Sequence, residues 1–211
     1  DRIAEIKDLG FTSLLDPCPS DLGRDVELMA AVSQKTGFQI ICATGLYKQA
    51  EGGYPYWHVR SSFGSQVDAM AEIFIKEITE GVGDTGVRAG IIKVASDRGG
   101  VTQPQENVLR AAARTHKQTG IPISTHTWSP DRVGDQQVRI LEEEGVNLNR
   151  VYIGHSNDDM DMSYLQGLLR KGVWLGLDRF PGGRRPGTPY WEERTQLTKQ
   201  LIDAGHPNRI M

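Results

Sequence analysis

The sequence predicts an α/β fold in which strand–helix units repeat around a parallel sheet. Short runs rich in β-branched residues alternate with longer segments whose apolar residues follow helical spacing. A glycine closes most helical segments just before the next strand, as is typical of a helix that ends in a left-handed residue. The six strand-like runs begin near Phe11, Phe38, Ala89, Ile121, Arg150 and Val173.

Polar residues at the strand ends favour a closed (β/α)8 barrel, the TIM barrel, over an open doubly wound sheet. Five runs carry a polar residue at the fifth or sixth position, namely Asp16, Lys93, His126, His155 and Asp178. An open sheet gathers its ligand residues around one switch point, whereas all strand ends of a barrel face one mouth. We therefore expect these side chains to meet at the mouth of a barrel.

The ends of the sequence predict that this barrel is incomplete. Residues 3–10 have the pattern of a helix with no strand before it, and residues 208–211 resemble the start of a strand. About six βα units cannot close an eight-stranded barrel. We expect residues 1–211 to form one partial barrel domain that lacks its first strand and most of its last.

The composition is typical of a soluble globular protein with one large core. The chain has 211 residues, of which 38% are hydrophobic and 24% charged, and its formal net charge is −3. The basic residues are scattered, which argues against a nucleic-acid partner. No apolar run approaches the roughly 18 residues of a membrane span, and we expect a cytoplasmic protein. Cys18 and Cys42 lack Cys-x-x-Cys spacing and are expected to be buried free thiols.

Lys93 is the residue that most needs a chemical explanation. It lies within residues 89–95, a run that otherwise reads as a strand buried on both faces, where an unpaired ammonium is costly. The runs 121–126 and 151–155 each end in a histidine, which is the commonest metal ligand. A neutral lysine there can take up carbon dioxide and become a carbamate that bridges two divalent metals, with His126 and His155 as further ligands. Two metals would acidify a bridging water, so the predicted chemistry is hydrolysis.

The other three histidines are predicted to have no catalytic role. We expect His58 to lie in a long third loop, His116 on the exposed side of a helix, and His206 in a loop before Pro207.

These strand-end residues closely resemble those of the phosphotriesterase-like family of the amidohydrolase superfamily. The matching stretches are Leu-Gly-Arg-Asp-Val at 22–26, Ala-Thr-Gly-Leu-Tyr at 43–47, Arg-Ala-Gly-Ile-Ile-Lys-Val at 88–94, Thr-His-Thr at 125–127, Ile-Gly-His-Ser at 153–156 and Gly-Leu-Asp at 176–178. The resemblance implies a barrel with a binuclear site, with Lys93 as the carboxylated bridge and His126 and His155 as ligands of the more exposed metal. The family's first-strand His-x-His pair and last-strand aspartate have no counterpart in this sequence.

Two residues resemble the lactonase-like members of that family more than the phosphotriesterases. Arg179 follows Asp178, where phosphotriesterases have a histidine after the aspartate of the seventh strand, and Tyr47 resembles a tyrosine beside the metal centre of lactonases. Both are predicted to bind substrate, although Arg179 can instead pair with a carboxylate at the rim. Asp158 resembles the family's acidic relay residue and is predicted to support the site, but the relay's histidine is replaced by Arg179. The aromatic segment 51–58 and the loop 180–187 are expected to set substrate fit. The aromatic residues suggest an apolar acyl or alkyl group in the substrate, or they pack against each other or against a dimer partner.

The predicted function is therefore hydrolysis of a small-molecule lactone or ester by two divalent metal ions in a homodimeric protein. Zinc suits the ligand set, as do manganese, cobalt and iron. Phosphotriester hydrolysis at the same site is the main alternative. A Schiff-base aldolase that uses Lys93 as its nucleophile and an inactive, metal-free barrel fragment are also open.

Overall fold

The structure, a computed structural model, describes residues 2–183 and 187–211. Within these residues, six strands alternate with helices. The strands are β1 (Ser13–Asp16), β2 (Gln39–Gly45), β3 (Ile91–Ala95), β4 (Ile123–His126), β5 (Val151–Ile153) and β6 (Trp174–Leu175). The α-helices are α1 (Arg2–Asp8), α2 (Val26–Thr36), α3 (Tyr54–Arg60), α4 (Gln66–Thr79), α5 (Gln103–Thr119), α6 (Val133–Glu143), α7 (Met162–Arg170) and α8 (Trp191–Asp203). Short 3-10 turns occupy Ser20–Leu22, Ser61–Phe63, Ser129–Asp131, Leu148–Arg150, Ser156–Asp158 and Pro207–Arg209.

All six strands are parallel and lie side by side in chain order, which confirms the predicted α/β fold as part of a (β/α)8 barrel. After the last helix, Ile210 forms a parallel bridge with Leu175 of β6. The backbone N–H of Met211 donates to the Leu175 carbonyl at 3.0 Å. Residues 208–211 therefore begin to extend the sheet beside β6, as their sequence predicts.

Local sequence signals explain where the helices begin and end, and α5 is a clear example. Thr102 and Gln105 form a capping box, in which each side chain accepts a hydrogen bond from the backbone N–H of the other residue. The helix stops at Thr119 because Gly120 adopts a left-handed conformation with φ of 73°. Between these ends, one face of α5 buries Val108 and Leu109 against the sheet and the neighbouring helices.

The core lies between the outer face of the sheet and the helices. Its largest fully buried apolar side chains include Phe38, Phe74, Met70, Ile92, Leu109, Ile123, Ile140, Leu141, Ile153, Leu165 and Leu168. On the inner face, by contrast, Leu15 and Ile41 of β1 and β2 remain 39% and 42% exposed. A cavity of about 580 Å³ opens along this inner face, next to Lys93 and His155.

A buried ion pair joins the segment before α2 to helix α4. The Arg24 guanidinium donates to the two carboxylate oxygens of Glu77 at 2.8 and 2.7 Å, and to the Ala43 carbonyl at 2.6 Å. The side chains of Arg24 and Glu77 are only 5% and 15% exposed. This bidentate pair fixes α4 against the end of β2, the strand that leads to Tyr47.

Two predictions about the histidines are wrong. His116 is buried, and its Nδ1 lies 2.8 Å from the Ile121 carbonyl, because the chain folds back past Gly120 and covers that face of α5. The segment around His58, predicted to be a loop, contains helix α3. Pro55 suits the first turn of this helix, and the side chains of Tyr54 and Trp57, one turn apart, are both buried. His58 itself is exposed.

The cysteines are free thiols, as predicted, but only Cys42 is fully buried, while Cys18 is partly buried just beyond the end of β1. In the parts of the chain that the structure describes, no helix combines the length and apolar character needed to cross a bilayer.

Candidate active site

The carboxyl ends of β3, β4, β5 and β6 bring the predicted site residues to one side of the sheet. Lys93 lies opposite Gly45 of β2 and Ser124 of β4 in the strand register. His126 ends β4, and His155 follows β5 by two residues. Parallel strands end at the same edge, so residues far apart in sequence become neighbours there.

Lys93 is buried on the inner face of the sheet, with 7% of its surface exposed. Within the described residues its ammonium makes no hydrogen bond or ion pair. Burial lowers the pKa of Lys93 to about 8. The negative charge of Asp178 opposes this shift, and the positive charge of Arg179 adds to it. Near neutral pH Lys93 is therefore a neutral amine in a much larger fraction of molecules than an exposed lysine is, although the ammonium form still predominates.

The two predicted histidines face each other. Nδ1 of His126 lies 2.8 Å from Nε2 of His155, and the ring centroids are 4.5 Å apart at an interplanar angle of 77°. The other nitrogen of each ring points toward a carboxylate. Nδ1 of His155 lies 2.8 Å from Asp178 Oδ1, and Nε2 of His126 lies 4.0 Å from Asp97 Oδ2. Imidazoles that bind a metal commonly direct one nitrogen at the ion and the other at an acceptor of this kind.

His155 adopts a left-handed backbone conformation, φ 61° and ψ 24°, which is uncommon for a residue other than glycine. This conformation turns both its backbone N–H and its ring Nδ1 toward Asp178 Oδ1, at 3.0 and 2.8 Å. The second oxygen of Asp178 accepts the hydroxyl of Tyr152 at 2.9 Å. Burial raises the pKa of Asp178, but the hydrogen bonds and charge of His155 outweigh it, and the net shift is downward. Asp178 is therefore an ionised acceptor for His155.

His126 is held as a neutral imidazole. Burial is the main reason that its pKa falls to about 3, and repulsion from His155 and Lys93 adds to the effect. Because the ring is uncharged, its 4.0 Å approach to Asp97 is not an ion pair. Its Nε2 atom is buried and has no hydrogen-bond partner. Neutral imidazole is the form that binds metals.

These features fit a divalent metal ion at this place. Two imidazoles whose nitrogens converge, next to a buried lysine whose pKa is lowered, form a donor set that suits such an ion. Histidine, cysteine, aspartate and glutamate alone form no metal-binding group of three or more within residues 2–183 and 187–211.

Tyr47 stands beside the histidine pair. Its hydroxyl lies 3.5 Å from His126 Nδ1, and the two rings meet edge to face with centroids 5.6 Å apart. Asp21, which the sequence did not single out, fixes the loop that carries Tyr47. Its carboxylate accepts the backbone N–H of Tyr47 at 3.0 and 3.1 Å and that of Gly53 at 2.9 Å.

Arg179 and Asp158 meet at one side of the site. Nε of Arg179 lies 3.6 Å from Asp158 Oδ2, so the predicted alternative of a carboxylate partner for Arg179 does occur. The other oxygen of Asp158 accepts Arg194 Nη2 at 2.7 Å. Arg194 is 1% exposed, and it also donates to the carbonyls of Asn157 and Pro189. The Asp158 carboxylate is thus held between two arginines, while its backbone N–H donates to the His155 carbonyl at 3.1 Å.

A cavity of about 330 Å³ lies next to Arg179. Its lining includes Trp128, Asp158, Asp178, Arg179, Phe180 and Thr188. The predicted loop 180–187 borders it in part, but residues 184–186 of that loop lie outside the described residues.

Four residues of the site were missed by sequence reasoning: Asp21, Asp97, Tyr152 and Arg194. Asp97 had a usable signal, since it follows β3 by two residues and so belongs at the same mouth. Tyr152 and Arg194 had none, because one reads as an ordinary strand residue and the other as an ordinary surface residue of a helix.

Comparisons with known proteins agree with this architecture. The model of the phosphotriesterase family matches residues 1–211. A phosphotriesterase homology protein of Mycobacterium tuberculosis is 39% identical over 213 residues, covering 100% of this chain and 64% of that protein. An aryldialkylphosphatase of Saccharolobus solfataricus is 36% identical over 202 residues, covering 96% of this chain and 62% of that protein.

Solved structures resemble the chain equally closely. A variant of a PTE-like lactonase from Deinococcus radiodurans superposes with a TM-score of 0.93 at 36% identity, over 98% of this chain and 64% of the other. An organophosphorus hydrolase from the same organism superposes with a TM-score of 0.93 at 37% identity, over 98% and 62%. The chain thus spans just under two thirds of the length of these relatives. With a family model matched over its full length and relatives this similar, the chain belongs to the phosphotriesterase family.

Proposed function

We propose that the protein to which this chain belongs is a metal-dependent hydrolase that prefers lactones or related esters. The observation that carries the proposal is the pair of imidazole nitrogens, His126 Nδ1 and His155 Nε2, that converge to 2.8 Å beside the buried Lys93. Relatives named aryldialkylphosphatase and PTE-like lactonase support hydrolysis as the reaction class.

Lys93, His126 and His155 are the proposed metal ligands, for two divalent ions such as zinc. The neutral Lys93 amine would add to carbon dioxide and release a proton, so that the new carbamate oxygens replace an ammonium with a bidentate anion. The lowered pKa of Lys93 favours this step because it supplies the free amine. When bound, such ions acidify water and polarise a scissile carbonyl.

The other residues would orient the ligands and the substrate. Asp178 accepts the second nitrogen of His155 and so fixes the ring's tautomer and rotation. The Tyr47 hydroxyl, 3.5 Å from His126 Nδ1, would contact a carbonyl held beside that ring. Arg179 would offer a planar set of donors to the departing oxygen or carboxylate of an opened lactone. The ion pair with Asp158 would hold the Arg179 side chain in position.

Replacement of Lys93 tests the metal site in the complete protein. Lys93→Ala should lose most bound metal and nearly all hydrolysis, and short carboxylic acids should partly restore both by replacing the carbamate oxygens. Lys171→Ala, which removes an exposed lysine paired with Glu142, is the matched control and should change neither.

The same experiment separates the proposal from a Schiff-base aldolase. A nucleophilic lysine would show no rescue by carboxylic acids and would be trapped as a substrate adduct by borohydride. Full activity of Lys93→Ala without any additive would contradict both the metal bridge and the Schiff base.

We also propose that the protein acts as a cytoplasmic homodimer. The exposed side chains of Tyr56, Val59 and Phe63, at spacings of three and four residues along α3 and the turn after it, support an interface there. Light scattering of the complete protein would test this, and Val59→Glu should shift a dimer toward monomer.

A further inference from the structure

Tyr152 lies on the inner face of the sheet, close to the candidate metal site. It lies in the middle of β5, in register with Ser124 of β4 and Trp174 of β6, and it lines the inner cavity together with Lys93 and His155. Its hydroxyl donates a hydrogen bond of 2.9 Å to Asp178 Oδ2. Burial and the nearby Asp178 raise the pKa of Tyr152, so that it remains a proton donor.

Asp178 links this phenol to His155. While Oδ2 accepts the Tyr152 hydroxyl, Oδ1 faces both the backbone N–H and the ring Nδ1 of His155. A carboxylate that receives donors on both oxygens cannot rotate without losing one of them. The three residues therefore form one continuous hydrogen-bonded chain from the inner face of the sheet to the histidine ring.

Gly176 leaves the space that this chain needs. A Cβ atom at position 176 would collide with the hydroxyl end of the Tyr152 side chain. Because glycine alone has no Cβ, Gly176 allows the Tyr152 phenol to reach the Asp178 carboxylate.

We propose that Tyr152 is a positioning residue for the metal centre: it fixes the rotation of Asp178, which in turn fixes the ring of His155 so that Nε2 faces His126 Nδ1. The inference rests on the proposed metal-dependent function. Tyr152 acts through Asp178 and touches neither metal nor substrate.

The test is Tyr152→Phe in the complete protein, with the affinity for cobalt(II) measured by competition with a chromophoric chelator. The site of interest is the one that disappears in His155→Ala. We expect cobalt binding at this site to weaken about tenfold, the lower end of the effect of removing an outer-shell partner of a metal-bound histidine. The visible spectrum of the bound cobalt should change as well, because the orientation of one ligand changes. Tyr164→Phe removes the same atom from a buried tyrosine of α7 and should alter neither.

A double-mutant cycle separates positioning from simple packing. In an Asp178→Asn background, Tyr152→Phe should have much less effect on cobalt affinity, because the carboxylate that it orients is already gone. Gly176→Ala provides a second route, since it displaces the phenol without removing it, and should weaken cobalt binding in the same direction. This variant keeps the test decisive if Tyr152→Phe folds poorly.

Unchanged cobalt affinity and spectrum in folded Tyr152→Phe would overturn the inference, as would an equal loss in both backgrounds. Neither result would affect the proposed function, because cobalt affinity is measured without substrate. Absence of cobalt binding in the unaltered protein would instead contradict the proposed function, and the inference with it.

Discussion

At the scale of single residues, the site is built from groups whose charge state is set by burial. His126 is kept neutral, and the pKa of Lys93 is lowered, because neither side chain finds a carboxylate near enough to offset the loss of solvent. In the same small region Asp178 stays ionised because His155 donates to it twice. One edge of the sheet therefore holds a neutral imidazole, a lysine that loses its proton easily and a charged carboxylate side by side.

Burial of neutral His126 predicts acid sensitivity of the metal-free protein. Its pKa is near 6.5 when unfolded and about 3 when folded, so between these values the unfolded state binds more protons. The free energy of unfolding should therefore fall as the pH decreases from 6.5 toward 3, by at most about 1.4 kcal/mol for each pH unit. Urea unfolding of the metal-free protein and of His126→Gln at pH 7 and pH 4.5 measures this. An equal loss of stability in both proteins would contradict it.

The presence of Arg179 at the mouth predicts a preference for lactones over phosphotriesters. The complete protein should hydrolyse lactones faster than an aryl dialkyl phosphate, and Arg179→His should lower kcat/KM for lactones about tenfold, the equivalent of one charge-assisted hydrogen bond of about 1.4 kcal/mol. Metal content should not change, because Arg179 is no ligand. Arg132→His, which alters an exposed arginine paired with Asp161, is the control. A tenfold or greater preference of the unaltered protein for the phosphate would overturn the lactone assignment and leave the metal site intact.

At the scale of helices and strands, long-range polar contacts attach the loops of the mouth to the barrel. Asp21 fixes the loop after β2, which carries Tyr47, and Arg194 of α8 fixes the turn after β5 through Asn157 and Asp158. The Arg24–Glu77 pair attaches α4 to the end of β2. Each contact joins elements that are distant in sequence.

The Arg24–Glu77 pair should be the most costly of these contacts to break. Arg24→Met leaves the Glu77 carboxylate buried without its partner, and loss of one member of a buried pair typically costs about 3–5 kcal/mol. Chemical denaturation should show this loss of stability. Arg139→Met breaks an exposed pair with Glu143, 64% and 43% exposed, and should cost less than about 1 kcal/mol. Similar losses in the two variants would show that the buried pair has no special role.

At the scale of the whole molecule, the six strands form part of a barrel whose inner face is only partly covered. Leu15 and Ile41 remain substantially exposed there, and among the described residues β1 pairs with one neighbour only, β2. Exposed apolar surface and an unpaired strand edge both favour association.

We therefore expect the 211-residue polypeptide by itself to bind an apolar fluorescent dye and to associate as its concentration rises. Leu15→Ser with Ile41→Ser should reduce both effects. Leu28→Ser, which changes an exposed residue of helix α2, should not. A monomeric polypeptide without dye binding at high concentration would contradict this expectation.

The sequence by itself determined the repeating units and which strand-end residues lie together at the candidate site. Hydrophobic periodicity and helix-ending glycines are local signals, so they located all six strands, and strand-end polarity identified Lys93, His126 and His155 as neighbours. Motif resemblance was sufficient to indicate the phosphotriesterase family, which the comparisons confirm. The same local signals misplaced His116 and the segment around His58, because they do not report which later segment covers a face.

Only the tertiary structure decided how the site is supported. The left-handed turn at His155, the contact from Tyr152 to Asp178, the approach of Asp97 to His126 and the arginine pair around Asp158 all depend on strand register and on packing between distant residues. A one-residue change of register would turn Tyr152 away from Asp178, although its local sequence would be the same. Periodicity specifies which elements form, whereas hydrogen-bond partners across elements are set by distances that exist only in the folded chain.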